Sequence, residues 1–308
     1  MTSHKPSTIA LPDGRTLSYA TYGSSLTTST HIPIFYFHGF PSSRIEGALW
    51  DGTATTLDVP LIAIDRPGMG HSTLQQNRKL TNWPDDVLAL AEHLEVKEFG
   101  VLGVSGGGPY ALACLSAIPE ERLKIGATVC GVYPLNLGAQ GLLFLSRALF
   151  WGGKWLPRVT AAVVDHQVGH RARDLDHPER FAAKIKQQMV ASGPKVDKDL
   201  LSVKLKDPAW ADTLVEALRQ SQRKSGWGTS IDAGILGSDW GFPLTQVDGK
   251  RLIMWHGVLD ANSPVRMADQ AAEMIHPAAY HRLEEEGHAS LGYGRMTDVL
   301  TSLLIKSK

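Results

Sequence analysis

The chain has 308 residues with 31 basic and 31 acidic side chains, so its formal net charge is zero. That balance argues against a nucleic-acid-binding protein, which carries a basic excess. Hydrophobic residues at 43% and charged residues at 20% describe a globular chain rather than a disordered one. Two cysteines, Cys114 and Cys130, rule out a disulfide scaffold and a four-cysteine zinc site, and read as buried thiols of a reducing compartment. Met1 to Gly14 contains Pro6, Pro12 and Asp13 and no apolar core of a secretory signal, so a cytoplasmic protein is expected.

In chain order, Pro12-Asp13-Gly14 is a turn between two short alternating strands within Ser7 to Gly23. Ser24 to Thr30 is a polar loop. The pattern then changes to apolar runs without alternation: Ile32 to Phe37, Leu61 to Ile64, Val101 to Val104, Ile125 to Val132 and Leu252 to Trp255. Such runs suit strands covered on both faces. Helical segments at Pro84 to Leu94 and Gly106 to Ile118 lie between the earlier ones, which predicts a mostly parallel sheet flanked by helices. Ile125 to Ser146 is 22 residues without a charge, long enough to span a bilayer, but its glycines, Pro134 and Asn136 make it a buried strand, a turn and a helix start. No integral membrane segment is expected.

From about Asn136 to Arg223 the alternation stops. Helices are predicted at Gly141 to Phe150, Pro157 to Val168, Pro178 to Ala191 and Pro208 to Gln222, and strand signal returns at Arg251. The division expected is a core of residues 1–135 and 224–308, interrupted by a helical insertion at 136–223 between the sixth and seventh strands. His166 and His170 share the i, i+4 spacing of two ligands on one helix face. Gly169 lies between them and only Asp165 and His177 are near third donors, so no metal site is assigned.

Gly103-Val104-Ser105-Gly106-Gly107 follows the strand Phe99 to Val104 and precedes a helix. A tight strand–turn–helix junction strains the central residue, requires small neighbours, and lifts the serine oxygen clear of the sheet. A serine hydroxyl needs a base to take its proton, and His288, on the loop after Tyr280 to Leu283, has the right place in the chain. Imidazole needs an acceptor to fix its tautomer; Asp260, after Leu252 to Trp255, supplies one, although it is also placed to cap the helix starting near Pro264. A tetrahedral oxyanion needs two preorganised N–H donors. The Gly106 amide is one, and a backbone amide of the turn Phe37-His38-Gly39-Phe40-Pro41, best that of Phe40, is the other.

With these pieces in order, the sequence resembles the α/β-hydrolase superfamily over nearly its whole length. The matching segments are His38-Gly39-Phe40-Pro41, Asp65-Arg66-Pro67-Gly68-Met69-Gly70-His71-Ser72, Gly103-Val104-Ser105-Gly106-Gly107, the Gly257 to Asp260 turn and Gly287-His288. The resemblance implies that fold, with the insertion as a helical cap, and places the catalytic acid after the seventh strand, in support of Asp260. It makes the Asp65 to Ser72 segment a structural loop.

Epoxide hydrolases and dehalogenases share the His-Gly-Phe-Pro turn but attack with an aspartate where this chain has Ser105, and no tyrosine lies between Pro134 and Ala279 to act as a cap acid. The expected activity is therefore a serine esterase or lactonase, acting on a moderately apolar small molecule without metal or organic cofactor. His38 and Gly39 of the turn and Phe144, Trp151 and Trp155 of the insertion are the expected substrate contacts. The alternatives are a slow-turnover or non-enzymatic small-molecule receptor, and a C–C hydrolase, aminopeptidase or non-hydrolytic biosynthetic enzyme using the same pocket. Monomer and homodimer both remain open.

Overall fold

Pro12, Asp13 and Gly14 close a hairpin of β1 (Ser7–Ala10) and β2 (Thr16–Gly23), and everything after it builds outward from that edge. The computed structural model describes residues 6–191 and 193–306. The further strands are β3 (Ile34–Phe37), β4 (Pro60–Ile64), β5 (Phe99–Val104), β6 (Leu123–Val129), β7 (Leu252–Gly257) and β8 (Ala279–Leu283). They form one sheet in the order β1-β2-β4-β3-β5-β6-β7-β8. The β1–β2 and β2–β4 pairs are antiparallel and all the others parallel.

The helices in chain order are α1 (Asp51–Thr56), α2 (Trp83–His93), α3 (Gly108–Ala117), α4 (Phe144–Trp155), α5 (Pro157–Val164), α6 (His170–Arg173), α7 (Pro178–Ala191), α8 (Lys195–Lys204), α9 (Pro208–Ser221), α10 (Trp227–Leu236), α11 (Val265–Ile275), α12 (His288–Gly294) and α13 (Met296–Ser302). None is long and apolar enough to cross a membrane. The uncharged run 125–146 is divided among β6, a turn and the start of α4.

Both faces of the sheet are covered, which is why its strands read as unbroken apolar runs. In β3, Phe35 and Phe37 pack with Trp83 and Leu112 on one side, while Ile34 and Tyr36 pack with Trp50 and Leu102 on the other. Helices α4 to α10 lie between β6 and β7. Helix α4 begins later than Gly141 because that glycine sits at φ 89°, outside helical space, and it continues to Trp155, just before Pro157. Helix α5 passes through one wide π-type turn, Asp165–Gly169, into α6.

Helices α8 and α10 were not anticipated. Helix α8 buries Asp197 beside Leu201, so a carboxylate stands where a period-3.6 pattern needs an apolar residue. Helix α10 packs on α4 beyond residue 223: a Cβ on Gly153 would sit 2.5 Å from the Gly234 nitrogen, so the two backbones touch.

The same α10 anchors in the body through Asp232. Arg66 donates to its carboxylate from Nε and Nη2 at 3.0 and 2.8 Å, and Arg78 from Nη2 at 2.7 Å; the Tyr110 hydroxyl adds a further short contact. All four side chains are buried. Burial alone would raise the Asp232 pKa, but the two guanidiniums bring it down to about 2. The depressed carboxylate stabilises the fold above the ordinary aspartate range, and that contribution is lost as pH falls from about 4 to 2. Asp232→Ala leaves two guanidiniums unpaired in the core. It should cost about 3–5 kcal/mol, seen as a lower urea midpoint at unchanged m value.

Candidate active site

The chain passes from β5 into α3 without room for side chains. Ser105 is held at φ 52°, a conformation that L-residues rarely adopt. A Cβ on Gly103 would meet the Gly107 carbonyl oxygen at 2.3 Å, and one on Gly107 would meet the Phe37 carbonyl oxygen at 2.0 Å. The flanking glycines are therefore a steric requirement of the elbow. Gly106 faces the turn after β3 closely enough that its Cβ position lies 3.2 Å from the Phe40 nitrogen. Gly106 and the Phe40 amide, both named for the oxyanion site, thus lie against each other.

Three buried groups set the orientation of that turn. Arg66 donates to the His38 and Gly39 carbonyls, to the latter from Nη2 at 2.9 Å. The Gly39 amide donates to Glu46 Oε1 at 2.9 Å, and the Tyr36 hydroxyl donates to the same oxygen at 2.6 Å. With the Gly39 amide spent on Glu46, the Phe40 amide is the turn's remaining donor beside Ser105. The Phe40–Pro41 peptide is cis.

Asp260 and His288 meet from the ends of β7 and β8. His288 Nδ1 donates to Asp260 Oδ2 at 2.8 Å. Asp260 Oδ1 accepts the Asn262 and Ser263 amides, each at 2.8 Å. One Asp260 oxygen thus ties the turn before α11 without capping that helix, and the other faces the imidazole. Burial would raise the Asp260 pKa, but His288 and the Ser263 amide hold it below the ordinary value. His256 is kept neutral by burial, with Nε2 donating to the Ser263 carbonyl at 2.8 Å.

The segment Cys130–Val132 touches both halves of the site. The Val132 amide donates to the Ser105 carbonyl at 3.1 Å, and Cys130 Sγ lies 3.6 Å from the His288 carbonyl. Among the described residues no hydrogen bond joins Ser105 Oγ to His288. The structure thus brings His288 to Asp260 and leaves the serine–imidazole contact open; such contacts tighten when substrate binds. The Cys130, Asp260 and His288 ligand atoms lie within 4.8 Å of one another, but burial pushes the thiol pKa up and Asp260 is already fully engaged. Both cysteines are free and buried. Of the other histidine set, Asp165 is committed to Arg173 at 2.7 Å and to the Gly226 amide at 2.8 Å.

Asp197, from α8, reaches across to α12. Its Oδ2 accepts the His288 amide at 3.0 Å and its Oδ1 the Ser290 amide at 2.8 Å. A helix lying between β6 and β7 therefore caps the helix that begins with the imidazole. No sequence signal separates this aspartate from the ordinary acids of a surface helix. Glu46, Arg66 and Asp232 were missed as well. Arg66 does lie within the Asp65 to Ser72 loop, whose Asp65 and Ser72 serve the fold: Asp65 Oδ1 accepts the Arg44 amide at 2.7 Å, and Ser72 Oγ donates to the Asp65 carbonyl at 2.7 Å.

The expected substrate contacts lie outside the described lining of the cavity beside the turn. His38 is fully buried, its Nδ1 2.9 Å from the Gly39 carbonyl and its Nε2 facing the Arg66 amide at 3.4 Å, so its ring supports the turn from below. Phe144, Trp151 and Trp155 point into solvent, at 84%, 59% and 62% exposure. The cavity beside the turn has a volume of about 700 Å³ and is lined instead by Phe40, Leu145, Leu149, Val168, Ile185 and Met189, among others. Gly39 stays in the turn, where a Cβ would stand 3.7 Å from Ser105 Cβ.

A strained elbow serine, an Asp–His pair and two adjacent amides on one sheet edge agree with the match of residues 34–300 to the alpha/beta hydrolase family. The chain belongs to the alpha/beta hydrolase family. A hydrolase of Bacillus subtilis strain 168, "Uncharacterized hydrolase YcgS", is 28% identical over 111 residues, covering 35% of this chain; the chain spans about a third, 36%, of that relative. An esterase from Exiguobacterium antarcticum superposes with TM-score 0.64 at 17% identity, covering 97% of this alpha/beta hydrolase and 99% of the esterase. A bromoperoxidase from Bacillus anthracis does so at 0.65, also with 17% identity, 97% of this chain and 99% of its own. At such identity these structures share the fold.

Burial works to lower the His288 pKa, but the carboxylates of Asp260, Asp197 and Glu46 outweigh it and hold the imidazole above its ordinary value. His256 and the Cys130 thiol, the other titratable groups against it, are both kept uncharged by burial. An NMR titration should therefore place the His288 midpoint above about 6.5, and Asp197→Asn should move it to lower pH. An unchanged midpoint would deny Asp197 any influence on the base.

Proposed function

We propose that this alpha/beta hydrolase cleaves an ester, lactone or related acyl bond of a moderately apolar small molecule through an acyl-enzyme. The observation that carries the reading is the 2.8 Å His288–Asp260 bond formed on the same sheet edge as a serine held at φ 52°. Ser105 Oγ attacks the acyl carbon while His288 Nε2 takes its proton. Asp260 keeps Nδ1 protonated and stabilises the imidazolium. The Phe40 and Gly106 amides receive the oxyanion. His288 then returns the proton to the leaving group and activates water, which releases the acid and restores Ser105. The insertion at 136–223 acts as a cap over this edge. No step requires a metal or organic cofactor.

The cavity favours acyl groups over aminoacyl ones. Its body is apolar, and the charged side chains that line it are Arg171 and Lys184, with no carboxylate among the described lining residues. A peptide N-terminus would find cations where it needs an acid. Of the acids available in the insertion, Asp165 is bound to Arg173 and Asp174 to His177.

A fluorophosphonate probe should label Ser105 in the native chain and fail on Ser105→Ala. Ser105→Ala and His288→Ala should each lower kcat about 10⁴-fold or more, and Asp260→Asn about 10²–10⁴-fold, with folding retained. Wild-type turnover in either alanine variant would remove this mechanism, whereas a native chain that binds ligand but never labels would favour a receptor. Met189→Trp, which fills the cavity, should cut turnover of long-chain esters about tenfold or more while sparing an acetyl ester.

A further inference from the structure

Helix α4 is apolar on two faces, and only one of them is covered. Phe150, Gly152 and Gly153 are buried, with Phe150 and Gly153 against α10. The opposite face, Phe144, Ala148, Trp151 and Trp155 at spacings of four, three and four, is open to solvent. Helix α5 extends it with Val159 and Val163, 56% and 50% exposed, along a shallow apolar groove. Monomeric proteins rarely leave a connected apolar surface of this kind uncovered.

The segment that forms the face carries charge of one sign, although Asp239 of another segment lines the pockets beside Lys154. No Asp or Glu occurs from Arg122 to Val164, whereas Arg147, Lys154 and Arg158 are exposed on α4 and α5. None of the three forms an ion pair among the described residues; Lys154 instead lies over the Trp155 ring at 5.0 Å. Tryptophan, phenylalanine and aliphatic side chains interleaved with unpaired cations match a membrane surface with negative headgroups. They suit a second copy of this chain poorly, because a two-fold pairing would set the same cations against one another.

We propose that the α4–α5 face seats on the surface of a lipid bilayer carrying anionic lipid. Leu145 and Val163 belong to this exposed surface and also line the cavity beside Phe40, so the seated face opens the cavity toward the lipid. An apolar substrate could then enter from the bilayer without crossing water. The seating itself does not depend on the reaction proposed above.

The test uses the full chain carrying Ser105→Ala, so that turnover cannot alter the vesicles. It is sedimented with vesicles of phosphatidylcholine alone and of phosphatidylcholine with phosphatidylglycerol at about 3:1. Association is expected with the mixed vesicles, with a blue shift of tryptophan emission, and it should weaken as salt is raised. Each cation is worth about fivefold at such a surface, so combined Arg147→Glu, Lys154→Glu and Arg158→Glu should weaken partitioning about 100-fold or more. On the active background the same triple variant should keep hydrolysis of a water-soluble short-chain ester, which separates this proposal from the catalytic one. Trp151→Ser with Trp155→Ser should abolish the blue shift. Failure of the folded parent to bind the mixed vesicles overturns the proposal. So does equal, salt-independent binding to phosphatidylcholine alone. A dimer that falls apart in the double tryptophan variant, without vesicle binding, would assign the face to a second copy.

Discussion

Arg66 is fully buried, and its guanidinium joins its own loop to two other parts of the chain: the Asp232 carboxylate of α10 and, in the turn after β3, the carbonyls of His38 and Gly39. A guanidinium in a core is tolerated only when its donors are matched and its charge is paired, so these three elements are held in one arrangement. The turn after β3 must present its carbonyls to Arg66, which frees the far side of the turn for amides. The position of the candidate oxyanion site therefore follows from an ion pair on the other side of the backbone. The same pair fastens α10, and α10 in turn carries α4 through backbone contact at Gly153 and Gly234.

A second chain of contacts runs through the base. Asp260 divides its two oxygens between a turn and an imidazole, and Asp197 divides its own between two amides at the start of α12. The acid on one side of His288 comes from the sheet, and the one on the other side from a helix between β6 and β7. The position of that helix and the protonation of the base are thereby linked. A buried carboxylate near an imidazole raises its pKa whether or not it touches the ring. The same contacts explain why Gly287 has no room for a side chain: its Cβ would lie 2.5 Å from Asp197 Oδ1.

The aromatic residues of α4 show how composition can mislead about location. A run with Phe144, Trp151 and Trp155 reads as pocket lining, because large apolar groups are expected to be covered. Their helical phase turns them outward instead, and the cavity is lined by Leu145 and Leu149 of the same helix. A helix apolar on both faces leaves the choice of buried face to its partner. Here close glycine contacts with α10 made that choice.

What the sequence determined alone was what local chemistry enforces. Unbroken apolar runs require strands covered on both sides, so the sheet was legible. Small residues must flank a strained serine, so the elbow was legible at Gly103, Gly106 and Gly107. Chain order and a late loop pointed to Asp260 and His288, whose side chains the fold brings to 2.8 Å. Only the tertiary structure decided which far-apart polar groups would meet. Glu46, Arg66, Asp197 and Asp232 are ordinary charged residues in the sequence, and their roles arise from burial against partners up to 166 positions away. Pairing of that kind is set by the packing of whole elements, and periodicity within one element carries no trace of it.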